Sequence, residues 1–181
     1  MMEDKKVIGL IGRIGSGKSI VAEHLVENYG AVVYRFSDVL KDVLNRVHKP
    51  ITRENLQDLG VALRSAFDDQ GILAEVLRAD IMESDSKLII VDGIRYYDEV
   101  EMVKGVGGVT LYVKAPPEVR YERVVKRGTR GERHISFDEF KVSEGRETER
   151  MIDEIGSNAD YTIENTGTLD ELKSKVDELM S

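Results

Sequence analysis

The amino-acid sequence predicts one α/β domain in which helices cover both faces of a five-stranded parallel sheet. Short apolar segments alternate with amphipathic ones along the whole chain, which is the order that βαβ units produce. A glycine-rich segment ending in Gly-Lys-Ser also stands between the first apolar segment and the first amphipathic one. With 181 residues and neither an internal repeat nor a linker, the chain is expected to fold as a single domain.

The five predicted strands are short and mostly apolar. They cover residues 6–11, 31–36, 87–92, 109–114 and 160–164. The third has the sharpest pattern, because Leu88 to Val91 form a continuous apolar run, as in a strand buried on both faces. Asp92 and Gly93 follow this run directly.

The predicted helices have apolar residues at helical spacing and recognisable ends. They cover residues 20–29, 37–47, 52–67, 71–84, 96–104, 117–127 and 137–155, and a last helix opens at residue 168. Gly30 is a C-terminal stop, Thr52 an N-cap, and Thr168 with Glu171 a capping box. The predicted core is 1–36, 86–126 and 148–181, with a helical acceptor-binding insert at about 37–85 and a lid at about 127–147.

Composition narrows the functional class. The absence of cysteine excludes disulfides and fits a reducing, cytoplasmic environment. The longest apolar run near the N-terminus is too short for a signal peptide, and no run approaches the roughly 20 residues of a membrane span. A net charge of −8 disfavours a nucleic-acid partner. We therefore expect neither nucleic acid nor membrane as partner, and a homo-oligomer stays open.

The glycine-rich segment, residues 12–19, matches G-x-x-x-x-G-K-[ST] at every fixed position. Its glycines let the backbone N–H groups converge on phosphate oxygens, and the following helix adds its positive end. Lys18 is expected to reach the β- and γ-phosphates and the Ser19 hydroxyl to ligate Mg²⁺. A chance glycine-rich turn is disfavoured, since the motif follows a strand and precedes a helix. The predicted nucleotide-binding residues here are Gly12, Gly15, Ser16, Gly17, Lys18, Ser19 and Ile20.

A carboxylate at the end of the third strand is the second predicted magnesium ligand. Asp92 could hold Mg²⁺ through water, although such a residue can also be only a turn former or helix cap. Hydrolytic ATPases usually place a glutamate next, where this chain has Gly93. The chain also lacks the Asn-Lys-x-Asp signature of GTPases. Transfer of the γ-phosphoryl group of ATP to a small acceptor is therefore favoured over hydrolysis, with ATP or GTP as donor left open.

Arginines cluster late in the chain and predict a phosphate-contacting flap. Arg120, Arg123 and Arg127 are spaced three and four apart, so they share a helix face beside a glycine-bearing loop. Guanidinium groups stabilise charge on a transferring phosphoryl group. A solvated basic face is the alternative, and it is preferred for Arg120 and left open for Arg123. Arg127 is predicted to be catalytic, with Lys18 and Asp38.

The acceptor side is predicted from polar residues that follow the second and third strands. It comprises Arg35, Asp38, Arg64 and Arg95. Ligands bind at the carboxyl ends of strands in open α/β sheets, where Arg95 falls. Asp38 is either a helix cap or a group that orients or deprotonates the acceptor. A hydroxyl acceptor profits from such a base, whereas a phosphate acceptor needs none.

Over nearly its whole length the chain resembles the nucleoside monophosphate kinase-like branch of P-loop kinases. Within that branch it is similar to dephospho-CoA kinases, deoxynucleoside monophosphate kinases and an adenylate kinase-related group. Besides the glycine-rich segment, the resemblance rests on the arginines from 120 to 127 and on FSDVLK at 36–41, LQDLG at 56–60 with Arg64, VDGIR at 91–95 and ADYTIENTGT at 159–168.

The resemblance implies roles for individual residues. Lys18 and Ser19 would serve the phosphates and Mg²⁺, and Asp38 and Arg95 would face the acceptor. Asn165 and Gly167 would lie near the adenine, and Arg123, Arg127 and Arg146 would belong to the lid. It also implies ATP and Mg²⁺ as cofactors and a small nucleotide-type acceptor.

Two departures from the pattern limit what the resemblance implies about the acceptor. Dephospho-CoA kinases typically read Asp-Ala-Asp after the second strand, whereas this chain keeps only Asp38 of that pair of carboxylates. The later lid helix of relatives often carries several arginines, and here Arg146 is the one candidate.

Overall fold

The strands of this chain are short, parallel and joined by helical crossovers. The structure is a computed structural model that describes residues 5–128, 134–145 and 151–181. Its strands are β1 (Lys6–Ile11), β2 (Val32–Arg35), β3 (Leu88–Ile94), β4 (Val109–Lys114) and β5 (Tyr161–Glu164).

Helices precede or follow each strand. They are α1 (Lys18–Tyr29), α2 (Phe36–Arg46), α3 (Arg53–Phe67), α4 (Ile72–Glu83), α5 (Tyr97–Gly105), α6 (Pro117–Arg127), α7 (Phe137–Glu144), α8 (Ile152–Ser157) and α9 (Leu169–Met180). None of the helices in the described ranges combines the length and apolar content that a bilayer crossing requires.

The sheet has the order β2-β3-β1-β4-β5, and every pair in it is parallel. This confirms the predicted five-stranded parallel sheet. Because β1 is central, the loop that follows it emerges between the carboxyl ends of β3 and β4. The register aligns Leu10 of β1 with Asp92 of β3, and Asp92 in turn with Arg35 of β2.

Two apolar cores flank the sheet, because successive strand residues point to opposite faces. On one face Ile11 and Val91 pack with side chains of α4, α5 and α8. On the other, Leu10 and Ile90 pack with α1 and α9, through Leu172 among others. The continuous apolar run in β3 is fully buried, as the sequence predicts for a strand covered on both sides.

Several boundaries differ from the sequence prediction by one residue or more, and three of the differences have a clear physical reason. Helix α2 begins at Phe36, directly after Arg35, so the predicted second strand ends one residue early. Strand β3 continues to Ile94, which places Asp92 inside the strand; a register shift and the positive φ of Gly93 (+95°) let pairing resume after it. The continuous helix predicted over 137–155 is wrong at Gly145, which ends α7, since glycine is a poor helix former.

Candidate active site

The loop between β1 and α1 has a backbone that only glycine accommodates. Gly15 and Gly17 have φ values of +77° and +108°. A Cβ at Gly15 would lie 2.6 Å from the carbonyl oxygen of Arg120, and one at Gly17 would clash with the Asn165 amide. The predicted loop therefore forms, and its glycines are needed for neighbours that lie far away in sequence.

Polar groups of this loop are placed to receive a ligand. The Lys18 ammonium donates to the carbonyl oxygens of Gly12 and, at 3.4 Å, Arg13. Ser19 lies exposed in the first turn of α1, and the Ile20 amide donates to the Gly17 carbonyl at 3.0 Å. The Ser16 hydroxyl is buried and has no hydrogen-bond partner among the described residues. Such an orphan group beside a glycine cradle fits a bound phosphate with its metal ion, which Lys18 and Ser19 would contact.

Arg120 does not lie on a solvated face, so the preferred interpretation of this residue is wrong. Its side chain is 5% exposed and forms a bidentate ion pair with Glu144 of α7, with Nη2 to Oε2 at 3.0 Å. It also donates from Nε to the Ala115 carbonyl at 3.0 Å and from Nη1 to the Ile14 carbonyl at 3.4 Å. The sequence could not show this, because Glu144 belongs to another helix.

Arg13 was not singled out from the sequence, because it fills a variable position of the loop motif. Its Nε donates to Asp153 of α8 at 3.0 Å, and its Nη1 donates to the Glu144 carbonyl at 3.2 Å. The Tyr112 hydroxyl donates to the other Asp153 oxygen at 2.7 Å, and burial together with that carboxylate raises the pKa of Tyr112. The loop is thus anchored through its own Arg13 to Asp153 and Glu144, and Arg120 contacts it through the Ile14 carbonyl.

Arg123 and Asn165 also form hydrogen bonds with the loop. Arg123 donates from Nη1 to the Gly15 carbonyl at 3.4 Å and from Nη2 to the Asn165 Oδ1 at 3.3 Å, and burial lowers its pKa. The buried Asn165 donates from Nδ2 to the Ser16 carbonyl at 2.7 Å. Both ends of the Asn165 amide are therefore engaged within the protein.

The other residues that were predicted to contact the nucleotide lie at different places in the fold. Gly167 lies beside Glu171, whose carboxylate accepts from the Thr168 amide at 2.8 Å in the predicted capping box. Arg127 is exposed at the last position of α6. Arg146 lies outside the described residues. The roles of these residues toward the nucleotide stay predictions.

Asp92 and Arg35, which were predicted for different tasks, contact each other. The Nε of Arg35 donates to the Oδ2 of Asp92 at 3.0 Å. The Asp92 side chain is 12% exposed and that of Arg35 is 42% exposed. The predicted metal ligand and a predicted acceptor ligand therefore form one ion pair at the carboxyl edge of the sheet.

Asp38 is also ion-paired. It lies in the first turn of α2 and accepts from the Lys41 ammonium at 2.6 Å. A carboxylate in this position also interacts favourably with the helix dipole. Asp38 is partly exposed, so a ligand can reach it.

Arg64 and Arg95 both lie at the short segment that joins β3 to α5. Arg64 donates to the carbonyls of Gly60 and Gln70, both at 3.1 Å, and its guanidinium carbon lies 5.8 Å from the centre of the Tyr96 ring. The backbone amide of the neighbouring Arg95 donates to the Glu99 carboxylate at 2.7 Å. Burial raises the pKa of Glu99 to about 7, although these backbone contacts oppose the shift.

A cavity of about 510 Å³ opens next to the loop, between the ends of β4 and β5 and the beginning of α6. The cavity is lined by Arg13, Ser16 and Arg120, and also by Glu164 and Thr166. The four predicted acceptor residues do not line this cavity. Three of them, Arg35, Asp38 and Arg95, lie at or just after the ends of β2 and β3, and Arg64 lies on α3.

Comparison with known proteins agrees with this geometry. The chain is 32% identical over 176 residues to a UPF0200 protein of Sulfurisphaera tokodaii, covering 97% of this chain and 96% of that one. Its fold is similar to TT1252 from Thermus thermophilus, with a TM-score of 0.62, 22% identity and coverage of 98% and 97%. It is also similar to a shikimate kinase from Acinetobacter baumannii in complex with shikimate, with a TM-score of 0.57, 21% identity and coverage of 99% and 94%.

The last two likenesses show the fold alone, which this chain shares with the shikimate kinase. The profile of the AAA domain family matches residues 8–152, from β1 to the start of α8. The resemblance to nucleotide kinases is thus confirmed at the level of a kinase-like P-loop fold, and no subgroup of nucleotide or dephospho-CoA kinases is singled out. The chain belongs to the AAA domain family and is a member of the UPF0200 proteins.

Proposed function

We propose that this protein transfers the γ-phosphoryl group of ATP to a small nucleotide-type acceptor, as nucleoside and deoxynucleoside monophosphate kinases do. One observation carries the proposal. The glycine loop follows β1, and the neighbouring strands β3 and β2 carry Asp92 and Arg35 at aligned positions near the same edge of the sheet. This order puts a phosphate cradle, a carboxylate suited to Mg²⁺ and a cation suited to an anionic acceptor side by side.

On the donor side, ATP supplies the phosphoryl group and Mg²⁺ neutralises charge on its phosphates. The loop amides and Lys18 would bind and orient those phosphates, while Ser19 and Asp92 would hold the metal. Arg123 donates to the Gly15 carbonyl, so α6 lies directly beside the loop. Arg127, at the end of the same helix, is the residue we assign to charge stabilisation during transfer.

Exclusion of water favours transfer over hydrolysis. Gly93 has no side chain with which to activate a water molecule at the position after Asp92. The proposed lid would close over the phosphates and leave only the acceptor within reach of the γ-phosphoryl group.

On the acceptor side, the side chains favour an anionic group. Arg35 and Arg64 are cationic and partly accessible, and Arg95 follows β3 at the same edge. Asp38 is held by Lys41, which favours an orienting role over a free general base. We therefore place a phosphate-bearing acceptor ahead of a hydroxyl acceptor of the dephospho-CoA kind.

The proposal is tested by ADP formation from ATP and Mg²⁺ with a panel of acceptors. The panel contains ribo- and deoxynucleoside monophosphates, dephospho-CoA, nucleosides and shikimate. We expect a nucleoside monophosphate to raise ADP formation far above the rate without acceptor, and Lys18→Ala to remove that increase. Acceleration by dephospho-CoA alone would instead assign a hydroxyl acceptor. Release of phosphate at the same rate with and without every acceptor would show a regulatory ATPase.

A further inference from the structure

The ion pair between Arg35 and Asp92 joins two groups that the proposed reaction needs separately. Their residues are direct partners in the pairing of β2 with β3, so the contact is imposed by the sheet. The Asp92 carboxylate is shielded, whereas Arg35 is more exposed. Only Nε of Arg35 takes part, at 3.0 Å from Oδ2, which leaves the outer nitrogens of the guanidinium beyond the pair.

A guanidinium and Mg²⁺ compete for the same carboxylate. Both are cations, and a divalent ion at Asp92 would repel the Arg35 charge at this short range. Arg35 is the mobile partner, because it is a long side chain with much of its surface in solvent. Asp92 lies within β3 and has little freedom to move.

We propose that Arg35 and Mg²⁺ exchange at Asp92, and that the released Arg35 binds the anionic group of the acceptor. This inference rests on the proposed function and deepens it. Before the metal arrives, Arg35 neutralises the shielded Asp92 carboxylate. When Mg·ATP binds, the metal takes over that task and the Arg35 fork turns to a phosphate or carboxylate of the acceptor. Donor and acceptor therefore bind cooperatively, and a neutral acceptor gains nothing from the release.

The exchange is tested by binding alone, without turnover. The dissociation constant of the β,γ-imido analogue of ATP is measured with and without Mg²⁺ by calorimetry, and the ratio of the two gives the metal effect. In Arg35→Gln the metal has no competitor, so we expect the Mg²⁺ effect to grow about 5- to 10-fold, within the usual range of coupling between sites. Asp92→Asn removes one of the two side chains assigned to the metal and is expected to reduce the ratio.

The matched control is Arg78→Gln. Arg78 is also a half-exposed arginine in an ion pair, with Glu75 at 3.3 Å, and it lies on α4 outside the proposed site. Its removal changes the net charge equally, so it should leave the Mg²⁺ effect unchanged. A smaller or unaltered Mg²⁺ effect in Arg35→Gln would overturn the exchange, because Arg35 would then merely support Asp92.

A second measurement follows the acceptor, with inorganic phosphate as the anionic probe. We expect wild-type protein to bind phosphate several-fold more tightly when Mg²⁺ and the ATP analogue are both present. Arg35→Gln should lose that increase, and phosphate binding that ignores the metal in wild-type protein would overturn the exchange. If wild-type protein failed to bind the analogue at all, the proposed function would fall together with the inference. If it bound the analogue with a Mg²⁺ effect that Asp92→Asn reduces and Arg35→Gln does not increase, only the exchange would fall.

Discussion

The proposed donor side of the candidate site is held by nearly buried side chains, whereas the proposed acceptor side carries half-exposed side chains, each ion-paired with a neighbour. Next to the glycine loop, Arg120 and Glu144 are 5% and 11% exposed and form an ion pair, and Arg120 also donates to the Ile14 carbonyl of the loop. On the acceptor side, Asp38 and Arg35 are each 42% exposed.

This difference indicates where ligand specificity can vary. Buried charges paired in a fixed geometry are costly to rearrange, so the phosphate cradle is preorganised. Exposed ion pairs contribute about 0–1 kcal/mol and exchange partners readily. The acceptor side can therefore change with the ligand, which agrees with a sequence resemblance that divides between kinases of different acceptors.

The largest expected effect is a loss of phosphotransfer caused by a change in the glycine loop. Lys18→Ala removes the cation that would reach the β- and γ-phosphates, and we expect phosphotransfer to fall on the order of 10³-fold. Thermal unfolding should be almost unchanged, since the side chain is only partly buried. Normal turnover by the purified variant would show that the loop does not bind the donor phosphates.

The second effect concerns stability. Arg120→Ala removes the bidentate partner of the shielded Glu144 carboxylate and leaves it only the longer ion pair with Arg13 at 3.8 Å. We expect a loss of about 3 kcal/mol in the free energy of unfolding, measured with denaturant. Arg78→Ala breaks an ion pair whose partners are 50% and 66% exposed, and should cost less than about 1 kcal/mol. Equal losses in the two variants would mean that the shielded Arg120–Glu144 ion pair stabilises the fold no more than an exposed one.

A third test addresses the shape of the loop. In Gly17→Ala the new Cβ would clash with Asn165 in a backbone region unfavourable to alanine, so unfolding should become easier by about 3 kcal/mol. Gly30 also has a positive φ, of +68°, but no atom of the described residues lies within 4 Å of a Cβ built there, so we expect Gly30→Ala to cost about 1 kcal/mol. If both variants lost the same stability, Asn165 would not be packed against the loop.

The smallest expected effect is a pH dependence on the acceptor side. Burial raises the pKa of Glu99 to about 7, above the value of 4.5 in an unfolded chain, so the folded protein binds the proton more tightly. Stability from this group is therefore complete at low pH and is lost as the pH rises toward and past 7. Between pH 5 and pH 8 we expect a loss of about 2 kcal/mol.

Glu99→Gln isolates this contribution, because glutamine can still accept from the Arg95 and Tyr96 amides. The difference in unfolding free energy between wild type and variant should change with pH in that direction. A difference that stays constant from pH 5 to pH 8 would show that the Glu99 carboxyl is not shifted.

Local patterns were sufficient to predict most of the architecture. The glycine loop, the buried third strand and the capping box at Thr168 each depend on residues close together in sequence, and each is present in the structure. The boundaries at Arg35 and Gly145 were less predictable, because a strand or helix end depends on competing neighbours.

Side-chain partners across the site were not predictable in the same way. Arg120 was expected to be solvated because its spacing matches an exposed helix face, yet Glu144 of another helix covers it. The role of Arg13 could not be predicted either, because Arg13 fills a variable position of the motif and its partner Asp153 lies 140 residues away.

The order of residues along the chain was enough to specify a phosphate loop on a parallel sheet, because glycine conformations and apolar periodicity act over a few residues. Tertiary structure alone decided what surrounds that loop. It paired Arg13 of the loop with Asp153 and Arg120 with Glu144, and it paired Arg35 with Asp92 across 57 residues. The reason is physical: long-range ion pairs depend on which strands become neighbours in the sheet, and no short stretch of sequence encodes that order.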